Sequence, residues 1–212
     1  MSTVGGPNIV QTGLEIALDS GGRGYPGQGS AWLNLTDQTV FNGSNYATAG
    51  WANNINNITL FAVIEKVGTG TGYANHPFNK WNSGTGNSSF VLYHFQNYQG
   101  NGADGQFSWY FTTANNGWSG YGVGKINVGD FIMTCFEYDS STGLQVWRDG
   151  TVLGGRTGHR GTLGTGGSGA INIDGPTGGG ITKVHTALMY SRSLTNEEIS
   201  QNFNALQNRF GL

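Results

Sequence analysis

Charge, cysteine and proline are all scarce in this chain. Asp, Glu, Lys and Arg together make up 10% of its 212 residues, and there are 1 Cys and 4 Pro. A protein that neutralises several phosphates needs a clustered basic face. Here 10 basic residues stand against 12 acidic ones, the net charge is -2, and no two basic residues are adjacent. Nucleic acid is therefore not an expected partner, and neither is a polybasic hold on a membrane surface. No apolar run approaches the ~20 residues of a helical span, so membrane insertion is not expected. Cys135 lies in the apolar run Phe131 to Phe136 and reads as an inert buried thiol, with no disulfide framework. Residues 1–7 carry neither a basic nor an apolar segment. No signal peptide is expected, and a disulfide-free chain suits synthesis in a reducing cytoplasm.

Glycine is abundant instead, at 38 residues, alongside 12% aromatics. That combination indicates many short strands joined by glycine turns rather than disorder, which is poor in aromatics. Leu14 to Leu18 alternates with period two. Ile58 to Glu65 is apolar on both sides, as a buried strand is. Further strands are expected at Ser89 to Phe95, Gln106 to Thr112, Phe131 to Tyr138, Leu144 to Arg148, Gly169 to Asp174 and Thr182 to Tyr190. Asp149-Gly150 is a two-residue hairpin signal leading into Thr151-Val152-Leu153. Trp32, Leu33 and Leu35 read as core residues, and Phe41 to Asn45 as a turn. The sum is an all-β, two-sheet antiparallel jelly-roll sandwich of about ten to thirteen strands.

The period changes only at the end. Thr195-Asn196-Glu197-Glu198 has the capping-box form, and two acids in the first turn suit the helix dipole. Ile199, Phe203, Leu206 and Phe210 then share one helical face, and Gly211 supplies a stop. A terminal helix within 193–210 is expected to pack on the sandwich, the whole of 1–212 forming a single domain.

Several segments resemble one family. Gly13 to Gly21, followed by Gly24-Tyr25-Pro26-Gly27 and Trp32, is similar to the opening of laminin-G-like, concanavalin A-like domains in bacteriophage structural proteins. Phe41-Asn42-Gly43-Ser44-Asn45-Tyr46 resembles their FDG-x-x-D-Y turn, with Asn42 in place of the commoner Asp. Val146 to Gly150 resembles their Y-x-N-G hairpin. Met189 to Thr195, with Glu197-Glu198-Ile199 and Asn202-Phe203, resembles their YNRALS-x-EEI-x-x-NF ending. The resemblance implies a concanavalin A-like fold and a virion protein, either capsid decoration or a tail or fibre component, made in the bacterial host cytoplasm. Its implied partners are other virion proteins. A lectin module attached to host surface polysaccharide is the alternative.

Catalytic chemistry finds little support. Retaining glycosidases need two carboxylates about 5 Å apart, which glucanases of this fold carry on one strand as Glu-x-Asp-x-(x)-Glu. Glu137-Tyr138-Asp139 is the nearest approach, and no second Glu follows it. His76, His94, His159 and His185 sit in unrelated contexts, and no G-x-S-x-G elbow is present. The chain is not expected to be an enzyme. Sugar recognition leaves a different trace, aromatics for ring faces and amides for hydroxyls; Trp81, Tyr98, Asn115, Asn116, Trp118 and Tyr121 are the glycan-binding candidates. No cofactor is required by any motif. Related folds often carry calcium, for which Asp19, Asp149 and Asp174 are the candidates, with service as turn residues the competing reading. Scarce charge leaves sheet edges without Lys or Pro protection, so self-association into a homo-oligomer is expected.

Overall fold

The computed structural model describes residues 9–19, 39–41, 55–68, 76–80, 90–95, 106–113, 115, 119–163, 171–175, 182–210 and 212. They form strands β1 (Leu14–Asp19), β2 (Thr39–Phe41), β3 (Asn57–Lys66), β4 (His76–Lys80), β5 (Phe90–Phe95), β6 (Gln106–Phe111), β7 (Ser119–Lys125), β8 (Phe131–Asp139), β9 (Gly143–Arg148), β10 (Thr151–Arg156), β11 (Ile171–Gly175) and β12 (Thr182–Tyr190). One helix, α1 (Asn196–Phe210), follows. Sheet A has the order β1-β12-β3-β8-β9-β10 and sheet B the order β2-β11-β4-β5-β6-β7, every pair antiparallel. The expected all-β sandwich is the observed fold. β4 and β7 had been read as loops, and they are strands. Trp32, Leu33 and Leu35 lie outside the described residues.

Alternation along β3 and β8 explains how the layers stack. Ile58, Leu60, Ala62 and Ile64 of β3 join Ile132, Phe136 and Tyr138 of β8 in the core between the sheets. From sheet B, Phe90, Leu92, Phe107, Trp109 and Phe111 complete it. Each such buried side chain contributes about 1.5–3 kcal/mol relative to exposure. Trp109 Nε1 donates to Thr134 Oγ1 at 2.8 Å, one hydrogen bond spanning the two sheets. The other parity of the same strands, Phe61, Val63, Met133 and Cys135, faces a second cluster with Ile9, Val10, Leu194, Ile199 and Leu206. Sheet A is thus a middle layer, which is why its central strands are apolar on both sides. Burial holds the Cys135 thiol well above its usual range, so it stays protonated.

Helix α1 begins at Asn196 rather than 193, because Thr195 caps it and residues 193–195 form the approach. Thr195 Oγ1 accepts from Glu198 N at 3.3 Å, and Glu198 Oε2 accepts from Thr195 N at 3.0 Å. Glu198 also holds Arg192 through two bonds of 2.7 and 2.6 Å, and Arg192 Nε reaches Thr12 O at 2.9 Å. Beneath the helix, Asn202 Oδ1 accepts from Val10 N at 2.8 Å, Asn202 Nδ2 donates to Tyr190 OH at 3.0 Å, and Tyr190 OH donates to Val10 O at 3.0 Å. Asn202 and Tyr190 are both fully buried, so this closed triangle satisfies groups that water cannot reach.

The Asp149-Gly150 hairpin forms as expected: φ values of 49° and 76° match a type I′ turn. A Cβ on Gly150 would come within 2.6 Å of the Phe203 ring, so the turn docks under α1. Two changes test this packing. Asn202→Ala strands the Val10 amide and the Tyr190 hydroxyl, and should cost about 2–4 kcal/mol in urea unfolding. Gly150→Ala meets both a left-handed backbone and the Phe203 ring, and should cost about 1–3 kcal/mol by the same measurement.

Candidate binding face

The two sheets differ in what covers their outer sides. Sheet A is covered by α1 and by residues 9–14. In sheet B, Phe107, Trp109 and Phe111 of β6 point into the core, which assigns Gln106, Ser108 and Tyr110 to the opposite face. Their neighbours on β7 are glycines: Tyr110 pairs with Gly120 and Ser108 with Gly122. The register continues the Tyr110 row through Val91 of β5, Asn79 of β4 and Asn172 of β11. A partly buried tyrosine ring lies over Gly120, where a Cβ would sit 2.7 Å from two ring carbons.

The sequence candidates meet different fates. Tyr121, expected on an outward loop, belongs to β7 and packs against the inter-sheet core. Its hydroxyl donates to Leu153 O at 2.9 Å, and Arg156 lies 5.9 Å from its ring. The reason is parity: Gly120, Gly122 and the aromatic between them form a strand, not a glycine loop. Together with Arg156 Nε to Gly120 O at 3.1 Å and Arg148 Nη1 to Lys125 O at 3.0 Å, Tyr121 ties the edge of sheet B to the edge of sheet A. Asn115 is exposed and abuts Gly161. Trp81, Tyr98, Asn116 and Trp118 lie outside the described residues.

The acidic candidates do not converge. Asp19 ends β1 at one edge of sheet A, while Asp149 follows β9 on its far side. Strands stand about 4.8 Å apart, so three intervening strands keep the two distant. Asp149 Oδ1 accepts from Met133 N at 2.8 Å, and Oδ2 pairs with Arg148 Nε at 3.3 Å. A carboxylate occupied by an amide and a guanidinium does not fit a calcium ligand; it is the turn role. Asp174 belongs to β11 in sheet B. Among the described residues no group of three or more His, Cys, Asp and Glu is placed to hold a metal.

Glu137 and Asp139, the nearest approach to a catalytic pair, also separate in role. Glu137 is on the helix side of sheet A, buried, with Ser193 Oγ hydrogen-bonded to its Oε1. Burial, helped by the negative charge of Asp139, pushes its pKa up to about 7. Asp139 is held low, chiefly by the Ser141 hydroxyl, and its Oδ1 also accepts from the amides of Ser141 at 2.7 Å and Thr142 at 3.3 Å. His185, at a bulge in β12, bonds Glu65 Oε2 through Nε2 at 2.9 Å beside Phe131 and Phe210. It is a sheet residue held by a carboxylate, as its context suggested.

No family model and no curated protein matches the chain. Solved structures do. The botulinum neurotoxin serotype D binding domain matches with TM-score 0.58 at 13% identity, over 79% of this chain and 40% of that one. The binding domain of Paraclostridial Mosquitocidal Protein 1 gives 0.56 at 9%, over 74% and 39%. Trypanosoma rangeli sialidase in complex with sialic acid gives 0.52 at 18%, over 73% and 23%. The chain therefore spans well under half the length of these structures.

The buried acid generates a pH prediction. The unfolded chain releases the Glu137 proton near 4.5, whereas the fold retains it up to about 7. This contribution is complete below the lower value and is lost as pH rises through the upper one, by about 1–3 kcal/mol. Glu137→Gln should flatten that slope between about pH 5 and 8 in urea titrations. What the matches establish is the fold: a concanavalin A-like, lectin-like β-sandwich with one side of sheet A covered by its terminal helix.

Proposed function

We propose that the chain is a non-catalytic structural module of a bacteriophage virion, a capsid decoration or a tail or fibre component. It works by packing against other virion proteins and presenting one sheet face outward. The observation that carries this reading is the inequality of the two outer faces. Everything in the closing motif serves to seal sheet A: Tyr190 and Leu194 are buried beneath α1, Arg192 and Glu198 pair, and Asn202 ties the helix to residue 10. That motif is also the part of the sequence most similar to phage structural domains. The acids near a glycosidase pattern are committed to a buried serine contact and a turn, which supports a surface role over catalysis.

Self-association is part of the proposal. Edge strand β10 exposes Val152 at 47% and Leu153 at 39%, and uncharged apolar edges invite pairing with a copy. Light scattering should report an oligomer, and Leu153→Lys should shift it toward monomer. A monomeric wild type at high concentration contradicts this point. For the role itself, mass spectrometry and cryo-EM of purified particles should find the chain in fixed copy number on capsid or tail. Its absence from infectious particles overturns the reading.

A second reading, glycan binding on host surface polysaccharide, is favoured by one feature: the Tyr110 ring set over Gly120 on the face of sheet B away from the core. The two roles are compatible, since a virion surface protein can also hold a host glycan.

A further inference from the structure

The face of β6 and β7 away from the core carries more than an aromatic ring. Ser108 is only 6% exposed, yet its hydroxyl makes no hydrogen bond among the described residues. It lies 3.9 Å from the point that a Gly122 Cβ would occupy, and Gln106 Nε2 lies 3.2 Å from the same point. Thr112 and Thr186 also have unpaired hydroxyls, but theirs are sealed in protein. Ser108 differs in pointing at a gap that exists because β7 has no side chain there. A side chain at Gly120 would displace Tyr110, and one at Gly122 would crowd Gln106. The glycines keep open a trough floored by backbone, walled on one side by Tyr110, Ser108 and Gln106.

We propose that Tyr110, Ser108 and Gln106, with the Gly120–Gly122 trough beside them, form a subsite for one pyranose ring of a surface polysaccharide. This rests on the glycan-binding reading and names its location. A pyranose has an apolar face of C–H groups that packs on an aromatic ring, and a rim of hydroxyls that both donate and accept. Ser108 and Gln106 can each do both as well. A serine hydroxyl left unpaired at the floor of an open trough is a group awaiting such a partner. Two cations border the trough. Arg156 donates from Nε to Gly120 O at 3.1 Å, and Lys125 stands opposite Gln106 in the register. Their charge lies where a sugar carboxylate would be met, so uronate units suit the site better than neutral ones.

The test is an amide-detected NMR titration of the intact chain with trigalacturonate and, separately, cellohexaose. The subsite predicts shifts concentrated at residues 106–110 and 119–122, larger with trigalacturonate. Tyr110→Phe keeps the ring and should bind within about threefold of wild type, while Tyr110→Ala should bind about tenfold more weakly with its remaining spectrum unchanged. Shifts clustered elsewhere, or equal affinity in Tyr110→Ala, overturn the subsite but leave glycan binding standing. No shifts with either sugar at millimolar concentration overturn both.

Discussion

The Asn202–Tyr190–Val10 triangle is the constraint on which the rest of the arrangement depends. Its three hydrogen bonds join the last helix, the last strand and the first described residues at a point where none has access to water. A buried amide is tolerable only if its partners are all in place, so the helix has one seat on sheet A. That seat fixes the bearing of Ile199 and Leu206 on Phe61, Val63 and Met133. It also brings residues 191–195 over the end of β3: Thr59 Oγ1 donates to Arg192 O and accepts from Leu194 N, both at 2.9 Å. Glu137 is buried as a result of the same closure, with Ser193 as its partner.

Sealing one side of sheet A leaves the molecule with unequal surfaces. The helix side is apolar and interlocked, and opening it would expose the second core. The far side of sheet B has a different chemistry: serine, glutamine and tyrosine against a glycine strand. The join between β7 and β10 relies on side chains reaching backbone carbonyls, Tyr121 and Arg156 among them. Such a join holds the sandwich shut while leaving β10 with an edge that a neighbour can use. This division suits a protein that is anchored and displayed. The solved structures it resembles share the fold, and their low identity carries no activity over.

Sequence reading captured the fold where periodicity was strong and failed where glycine masked it. β3, β6, β8, β9 and β12 were legible from apolar alternation, and the Asp149-Gly150 turn from its dipeptide. The capped helix was legible from Thr195 and Glu198. β7 was not, because Ser119–Lys125 contains three glycines among seven residues, and a glycine-rich stretch looks like a loop until its partner strand is known. Tyr121 was assigned outward for that reason, and Tyr110 was passed over as part of an aromatic run. The bulge at His185 changes which residues of β12 face inward without any local signal. Asn202 did carry one: it sits three residues after Ile199 and four before Leu206, inside the apolar stripe. A lone amide there indicates a buried hydrogen bond, but its partners are 12 and 192 residues away. Ser193 over Glu137 was hidden for the same reason, being a contact across 56 positions.

Hydroxyl-radical footprinting of the free chain, read residue by residue, tests the inequality of the two faces most directly. Tyr110 and Met133 are both reactive side chains in strands, one on the open side of sheet B and one under the helix. The account predicts rapid modification of Tyr110 with Met133 and Tyr190 protected, and loss of Tyr110 reactivity when the chain is assembled or engaged by its ligand. Oxidation of Met133 and Tyr190 at a rate comparable to Tyr110 would mean that the terminal helix does not seal sheet A, and would contradict the account.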